Sequence, residues 1–144
     1  MSKKKLKIAV LFGGKSAEHE VSLNSAKNVI DALDKSKYEV TPIKINKEGI
    51  FDLLNLKNFD VIFPILHGPY GEDGSIQGFF KLIGVPFVGA GILGSSVGMD
   101  KDVMKRLLNE AGIKNAKCIV VYSGEKILFK NTKKILGLPM FIKP

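Results

Sequence analysis

This sequence predicts an α/β fold, an open parallel sheet flanked by helices, on three observations. Two apolar runs, Leu6–Phe12 and Val61–Leu66, are short, continuous and aliphatic, as in strands buried on both faces. Leu23, Ala26, Ile30 and Leu33 recur at spacings of three and four, one face of a helix. Each apolar run also ends in a glycine-rich turn leading into a helical stretch, which is how βα units are joined.

In chain order, Leu6–Phe12 is the first strand. Gly13-Gly14-Lys15-Ser16 follows as a loop, with Ser16 the expected N-cap of a helix reaching Leu33 and Glu18 in its first turn. Tyr38–Ile45 alternates and predicts a second strand, followed by a turn at Asn46-Lys47-Glu48-Gly49 and a short helix or irregular segment over Phe51–Leu56. Val61–Leu66 is a strand despite Pro64, and Ser75–Leu82 a helix closed by Gly84. Val85–Val88 predicts a short strand, and Gly89–Gly98 a glycine and serine loop with room for a short helix. Asp100 is expected to cap a helix carrying Val103, Met104, Leu107, Leu108 and Ala111 on one face, with Gly112 as its stop. Beyond Asn115 the pattern changes: Lys117–Tyr122, Ile127–Lys130 and Pro139–Ile142 are expected as short β segments. The predicted division is a first domain over 1–114 and the incomplete beginning of a second over 115–144.

Composition narrows the function classes. The 144 residues are 45% apolar and 25% charged, ordinary globular values. A net charge of +8 invites a nucleic-acid partner, but the lysines lie at the N-terminus or singly, and Arg106 is the sole arginine. A lysine-rich solvated surface that attracts anionic ligands accounts for the charge, and no nucleic-acid partner is expected. Cys118 is alone in an apolar run, where a buried thiol is expected, and two histidines with one cysteine have no metal-ligand spacing. Ile8–Phe12 is too short for a signal peptide core and no run is long enough to span a bilayer, so a cytoplasmic protein without a membrane partner is expected.

The candidate site is Asp60–Gly78. His67 falls where a buried strand ends, and Gly68, Gly71 and Gly74 follow with Glu72 and Asp73 between them. Ligands of open parallel sheets bind outside the carboxyl ends of the strands, so a titratable residue and an acidic glycine turn there mark a site. Glu18 and Lys101 each carry two readings. Glu18 either complements a helix dipole or points an acid at a ligand, and Lys101 in a first helical turn is either an exposed lysine or an anion contact. Gly13-Gly14-Lys15-Ser16 is neither a dinucleotide fingerprint nor a P-loop: the glycine that a P-loop needs five residues before Gly14 is Ala9.

Four ordered stretches resemble one family. His67-Gly68-Pro69-Tyr70-Gly71-Glu72-Asp73-Gly74-Ser75-Ile76-Gln77-Gly78 resembles the first signature of D-alanine–D-alanine ligases, and Gly13 through Ser22 their opening loop. Gly98-Met99-Asp100-Lys101 resembles the segment before their central domain, and Leu138 through Pro144 their first ATP-contacting strand. The resemblance implies a preATP-grasp, Rossmann-like domain, then the start of a truncated ATP-grasp domain. It implies an ADP-forming ligase that joins two D-alanines through an acyl phosphate for peptidoglycan synthesis, using ATP and magnesium, and a homodimer when full-length. Glu18 and His67 match catalytic positions around the first D-alanine, with Glu18 anchoring its ammonium and Gly68 beside it. Lys101 and Lys143 match phosphate-contacting lysines of the ATP site.

Ser95 and Ser96 look like the family's serine loop but precede Lys101, the wrong order, and are given no catalytic role. Magnesium ligands, lid and true serine loop are missing from this stretch, so residues 1–144 alone are expected to be inactive. A D-alanine–D-lactate ligase, another ATP-grasp ligase, a non-catalytic nucleotide-binding α/β module and a basic nucleic-acid binder are the competing readings.

Overall fold

The computed structural model describes residues 4–49 and 54–143. The chain forms two compact units, Met1–Asp100 and Lys101–Pro144, each described here by itself.

The first unit is built on three parallel strands, β1 (Leu6–Gly13), β2 (Tyr38–Ile45) and β3 (Val61–Leu66), in the order β2-β1-β3. All three match expected strands, two from apolar runs and β2 from its alternation. In the ladder Leu6 lies opposite Tyr38, and Ile8 opposite Val61. With β1 in the centre, its alternate side chains enter two cores. Ile8 and Val10 pack with Ala26 of α1 (His19–Ala32), joined by Ile30 and Leu33. Ala9 and Leu11 pack on the other face with Ile45, Leu56, Ile62, Val85 and Phe80, the last from α2 (Ser75–Ile83). Period-two alternation through a strand flanked by helices on both sides is why β1 reads as one unbroken apolar run.

Pro64 fits its strand for a geometric reason. Ile62 donates its N–H to Pro86 C=O at 2.9 Å, and Val88 donates to Ile62 C=O at 2.9 Å. The amide nitrogen of Pro64, two residues on, faces that same side, where the ladder has already stopped, so its missing N–H costs no ladder bond. Val85–Val88, expected as a strand, forms only the isolated bridge Ile62–Phe87.

Other expectations change on folding. Glu18, not Ser16, is the N-cap of α1; Ser16 stands two residues earlier, where its Oγ accepts the Glu18 N–H at 3.2 Å and its C=O accepts the His19 N–H at 3.2 Å. The short helix for which Gly89–Gly98 had room does form, as α3 (Ile92–Met99), which runs one residue past that loop. Ser96 Oγ donates to Ile92 C=O at 3.0 Å and to Asp73 C=O at 2.7 Å, tying α3 to the turn before α2. Within the expected Phe51–Leu56 segment, residues 51–53 lie outside those described, and Leu54–Asn58 is a 3-10 turn.

The second unit opens with α4 (Lys101–Glu110), whose end follows the expected stop: Gly112 is left-handed and Ile113 donates to Leu108 C=O at 2.8 Å. The β segments expected at Lys117–Tyr122, Ile127–Lys130 and Pro139–Ile142 do not form among the described residues. Phe129–Leu136 is instead a helix, α5. Strand-prone residues need a neighbouring strand to complete their hydrogen bonds, and no ladder is present over Lys101–Lys143. Cys118, expected to be buried with that run, is exposed for the same reason.

Candidate functional site

The carboxyl ends of β1 and β3 lie side by side, and the chain leaves β1 toward β2 on one flank and returns to β3 on the other. Such a reversal of strand order opens a crevice at the rim of an open sheet. The loops after β1 and β3 meet there.

Their meeting is set by two serines. Ser22 Oγ, fully buried on α1, accepts the Gly13 N–H at 2.7 Å and donates to Ile65 C=O, bridging the last turns of β1 and β3. Ser16 Oγ donates to His67 C=O at 2.7 Å and accepts the Glu18 N–H at 3.2 Å. His19, also buried, hydrogen-bonds through Nδ1 to Gly14 C=O at 2.7 Å and holds the glycine loop from beneath.

Glu18 and the His67–Gly68 pair therefore come together. A Cβ placed on Gly68 would lie 2.7 Å from Glu18 Oε2 and 3.3 Å from Ser16 Cβ, so the carboxylate passes directly over the glycine backbone. Gly68 has φ +72, and the missing side chain serves both the turn and this approach. Its N–H donates to Glu72 Oε2 at 2.7 Å, while Glu72 Oε1 lies 4.0 Å from His67 Nδ1. His67 Nε2 is buried with no protein partner. A half-buried imidazole with one nitrogen beside a carboxylate and the other unpaired suits a ligand that brings its own polar atom.

A cleft of about 300 Å³ opens beside His67. Leu66, Ile45 and Ile76 give it apolar walls, while Lys15, Ser16 and Tyr70 contribute polar atoms. Glu18 does not line it but stands on the Gly68 side of the same rim. Sequence alone does not single out Lys15 or Tyr70: an exposed lysine after two glycines has no distinguishing pattern, and Tyr70 reaches its place through a left-handed backbone, φ 68.

Asp73 organises the turn between His67 and α2. Its carboxylate accepts the Tyr70 N–H at 2.8 Å and the Ser75 N–H at 2.9 Å, at the amino end of α2. Partial burial works against its charged form, but these N–H donors outweigh it and hold the carboxyl below its ordinary value of 3.8. A carboxyl depressed in the folded state stabilises fully above that ordinary value and ceases to do so as pH falls through the folded one. Asp73→Asn should therefore lower the urea midpoint at pH 6 and lose less stability than the parent protein on going to pH 3. Parallel losses in both proteins would show that the carboxylate has no such part.

Lys101 and Lys143 lie in the second unit, Lys101 as the first residue of α4, and both are exposed. Among the described residues no group of three or more His, Cys, Asp or Glu side chains is placed to hold a metal ion. No helix among them is long and apolar enough to cross a membrane.

The family model for the D-Ala–D-Ala ligase N-terminus matches residues 7–57 and 51–90. The chain belongs to this ligase family. The match takes in β1 from Lys7 on, the glycine loop, Glu18 and the whole His67–Gly74 turn. A D-alanine–D-alanine ligase of Oceanobacillus iheyensis is 43% identical over 184 aligned positions, covering 97% of this chain and 50% of the relative. Ligase A of Escherichia coli K12 is 39% identical with the same coverage. Since 184 positions exceed the 144 residues here, these relatives also carry internal residues without a counterpart in this chain. The D-alanine–D-alanine ligase of Bacillus anthracis solved with ATP superposes with a TM-score of 0.70 at 35% identity, over 90% of this chain and 44% of that one. A D-Ala:D-Ser ligase from Enterococcus faecalis gives 0.68 at 34%, over 79% and 44%. The chain thus spans about half the length of the curated ligases it matches.

Proposed function

We propose that this chain is the N-terminal part of a cytoplasmic, ADP-forming ligase that condenses two D-alanines for peptidoglycan, and that the full-length enzyme is a homodimer. The observation that carries this reading is the convergence of Glu18, His67 and Gly68 on one sheet rim, within a chain of the ligase family. In the proposed enzyme residues 1–114 form the preATP-grasp domain, and residues 115–144 begin the ATP-grasp domain.

Joining two amino acids requires the first carboxylate to be activated, its ammonium held and the second amine admitted. Glu18 supplies a carboxylate for the ammonium of the first D-alanine, a charge-assisted contact stronger than a neutral one. His67, with Nε2 unpaired, offers a hydrogen bond to the same substrate. ATP supplies the phosphoryl group that turns the first carboxylate into an acyl phosphate. The amine of the second D-alanine then attacks the acyl carbon, the carbonyl π pair moves to oxygen, the nitrogen releases a proton to solvent, and the tetrahedral intermediate collapses to the amide as the C–O bond to phosphate breaks. Lys101 and Lys143 are proposed to balance charge on the ATP phosphates, because positioning and electrostatic stabilisation dominate phosphoryl transfer. Magnesium, which the resemblance implies for the whole enzyme, has no ligand cluster among the described residues.

The test is direct. The full-length protein, given D-alanine and ATP, should release one phosphate per D-alanyl-D-alanine formed, by mass spectrometry and phosphate assay. Since one structural neighbour is a D-Ala:D-Ser ligase, D-serine and D-lactate belong in the assay as competing second substrates. Preference for either would reassign the second site, and no condensation with any of them would remove the ligase reading.

A further inference from the structure

We infer that Ser16 is a positioning residue that sets the spacing between Glu18 and His67, an inference that rests on the ligase reading for its substrate. Glu18 and His67 are far apart in sequence, on loops that follow different strands. Their side chains are not hydrogen-bonded to each other in the described contacts. What links them is a single hydroxyl: Ser16 Oγ accepts from the backbone N–H of Glu18 at 3.2 Å and donates to the backbone carbonyl of His67 at 2.7 Å.

The link is short and directional. One end fixes where the chain turns into α1, and hence where the Glu18 carboxylate emerges. The other fixes the peptide between His67 and Gly68, over which that carboxylate lies. Ser16 Oγ would itself sit 3.4 Å from a Cβ on Gly68, so serine, glycine and carboxylate fill one another's space. Ser22 makes a similar bridge deeper in the sheet, but between strand ends and fully buried, so it supports the fold as a whole. Ser16 is partly exposed at the rim, where losing it leaves both cores intact.

Removing the hydroxyl leaves the Glu18 N–H and the His67 carbonyl to find water, and lets the two loops drift apart. A ligand held by both side chains then loses geometry, whereas ATP, contacted by neither in this reading, does not. Initial-rate kinetics on the full-length protein should show KM for D-alanine rising about tenfold in Ser16→Ala, with KM for ATP within roughly twofold and Ser16→Thr restoring most of the loss. Unchanged D-alanine KM, equal changes for both substrates, or no rescue by threonine would overturn the assignment. Should Ser16→Ala not fold, Ser16→Cys, of similar size but a poorer donor, takes its place with the same expectations.

A second readout separates this inference from the ligase reading. The imidazole resonances of His67, assigned by their loss in His67→Gln, should shift in Ser16→Ala and return in Ser16→Thr without any substrate present. If the protein condenses no D-amino acid yet the resonances shift in this way, the ligase reading fails and the positioning role stands. If they do not move, the positioning role fails whatever the protein catalyses.

Discussion

Glu18→Gln in the full-length protein is expected to raise the D-alanine concentration needed for half-maximal rate by roughly ten- to a hundredfold, while the ATP requirement stays nearly constant. Glutamine keeps the shape and the acceptor oxygen but removes the negative charge that complements an ammonium. The substitution also leaves the loop intact, because Glu18 enters the local hydrogen bonding through its backbone N–H to Ser16. Lys143→Ala should do the reverse, raising the ATP requirement by about tenfold through loss of a charge-assisted contact. The two variants form a crossed pair in steady-state kinetics. Equal effects of both on both substrates would remove the division of labour between the acid near β1 and the lysine of the second unit.

Gly13→Ala is expected to be among the most damaging single-methyl changes in the first unit, at about 3 kcal/mol or more. Gly13 has φ +92, and a Cβ there would meet the Ile45 carbonyl oxygen at 2.3 Å and His19 Cε1 at 3.0 Å. The first neighbour is backbone of β2, held by the ladder register opposite Gly13, so it cannot swing away. Gly84→Ala is the matched control. Gly84 has φ +73 after α2 but nothing within 4 Å of a Cβ, so it should cost only the left-handed conformation, about 1 kcal/mol. Chemical unfolding followed by circular dichroism would read both, and similar losses would mean that the close approach at Gly13 relaxes without penalty. The glycine after β1 is thus fixed by the packing of β2 beside it, as well as by its own turn.

Much of the first unit was legible because its signals are local. Two apolar runs and one alternating stretch marked the three strands, and the period of Ala26, Ile30 and Leu33 marked the face of α1. Gly84 and Gly112 marked their helix ends, since a left-handed residue at a carboxyl cap depends on little beyond its own helix. The errors share one cause. Ser16 has the residue type of an N-cap and its oxygen accepts the Glu18 N–H, but α1 begins only after Glu18, and the hydroxyl proton goes to a carbonyl 51 residues away. Val85–Val88 has the composition of a strand, but Pro86 and the geometry around Ile62 leave it one bridge. The segments after Asn115 have β propensity without a partner ladder in the described chain, and propensity alone does not close hydrogen bonds.

The parallel α/β class, the three strands and the four stretches that resemble the ligase family all follow from residue type and spacing along the chain. Folding alone brings Glu18 over Gly68 and joins its loop to His67 through one serine hydroxyl. It also leaves Nε2 of that histidine without a protein partner beside a cleft. The physical reason is that strand order is not written in any local pattern. Placing β1 between β2 and β3 brings two loops of distant sequence to the same rim, and their side chains then compete for hydrogen bonds that neither stretch could satisfy alone.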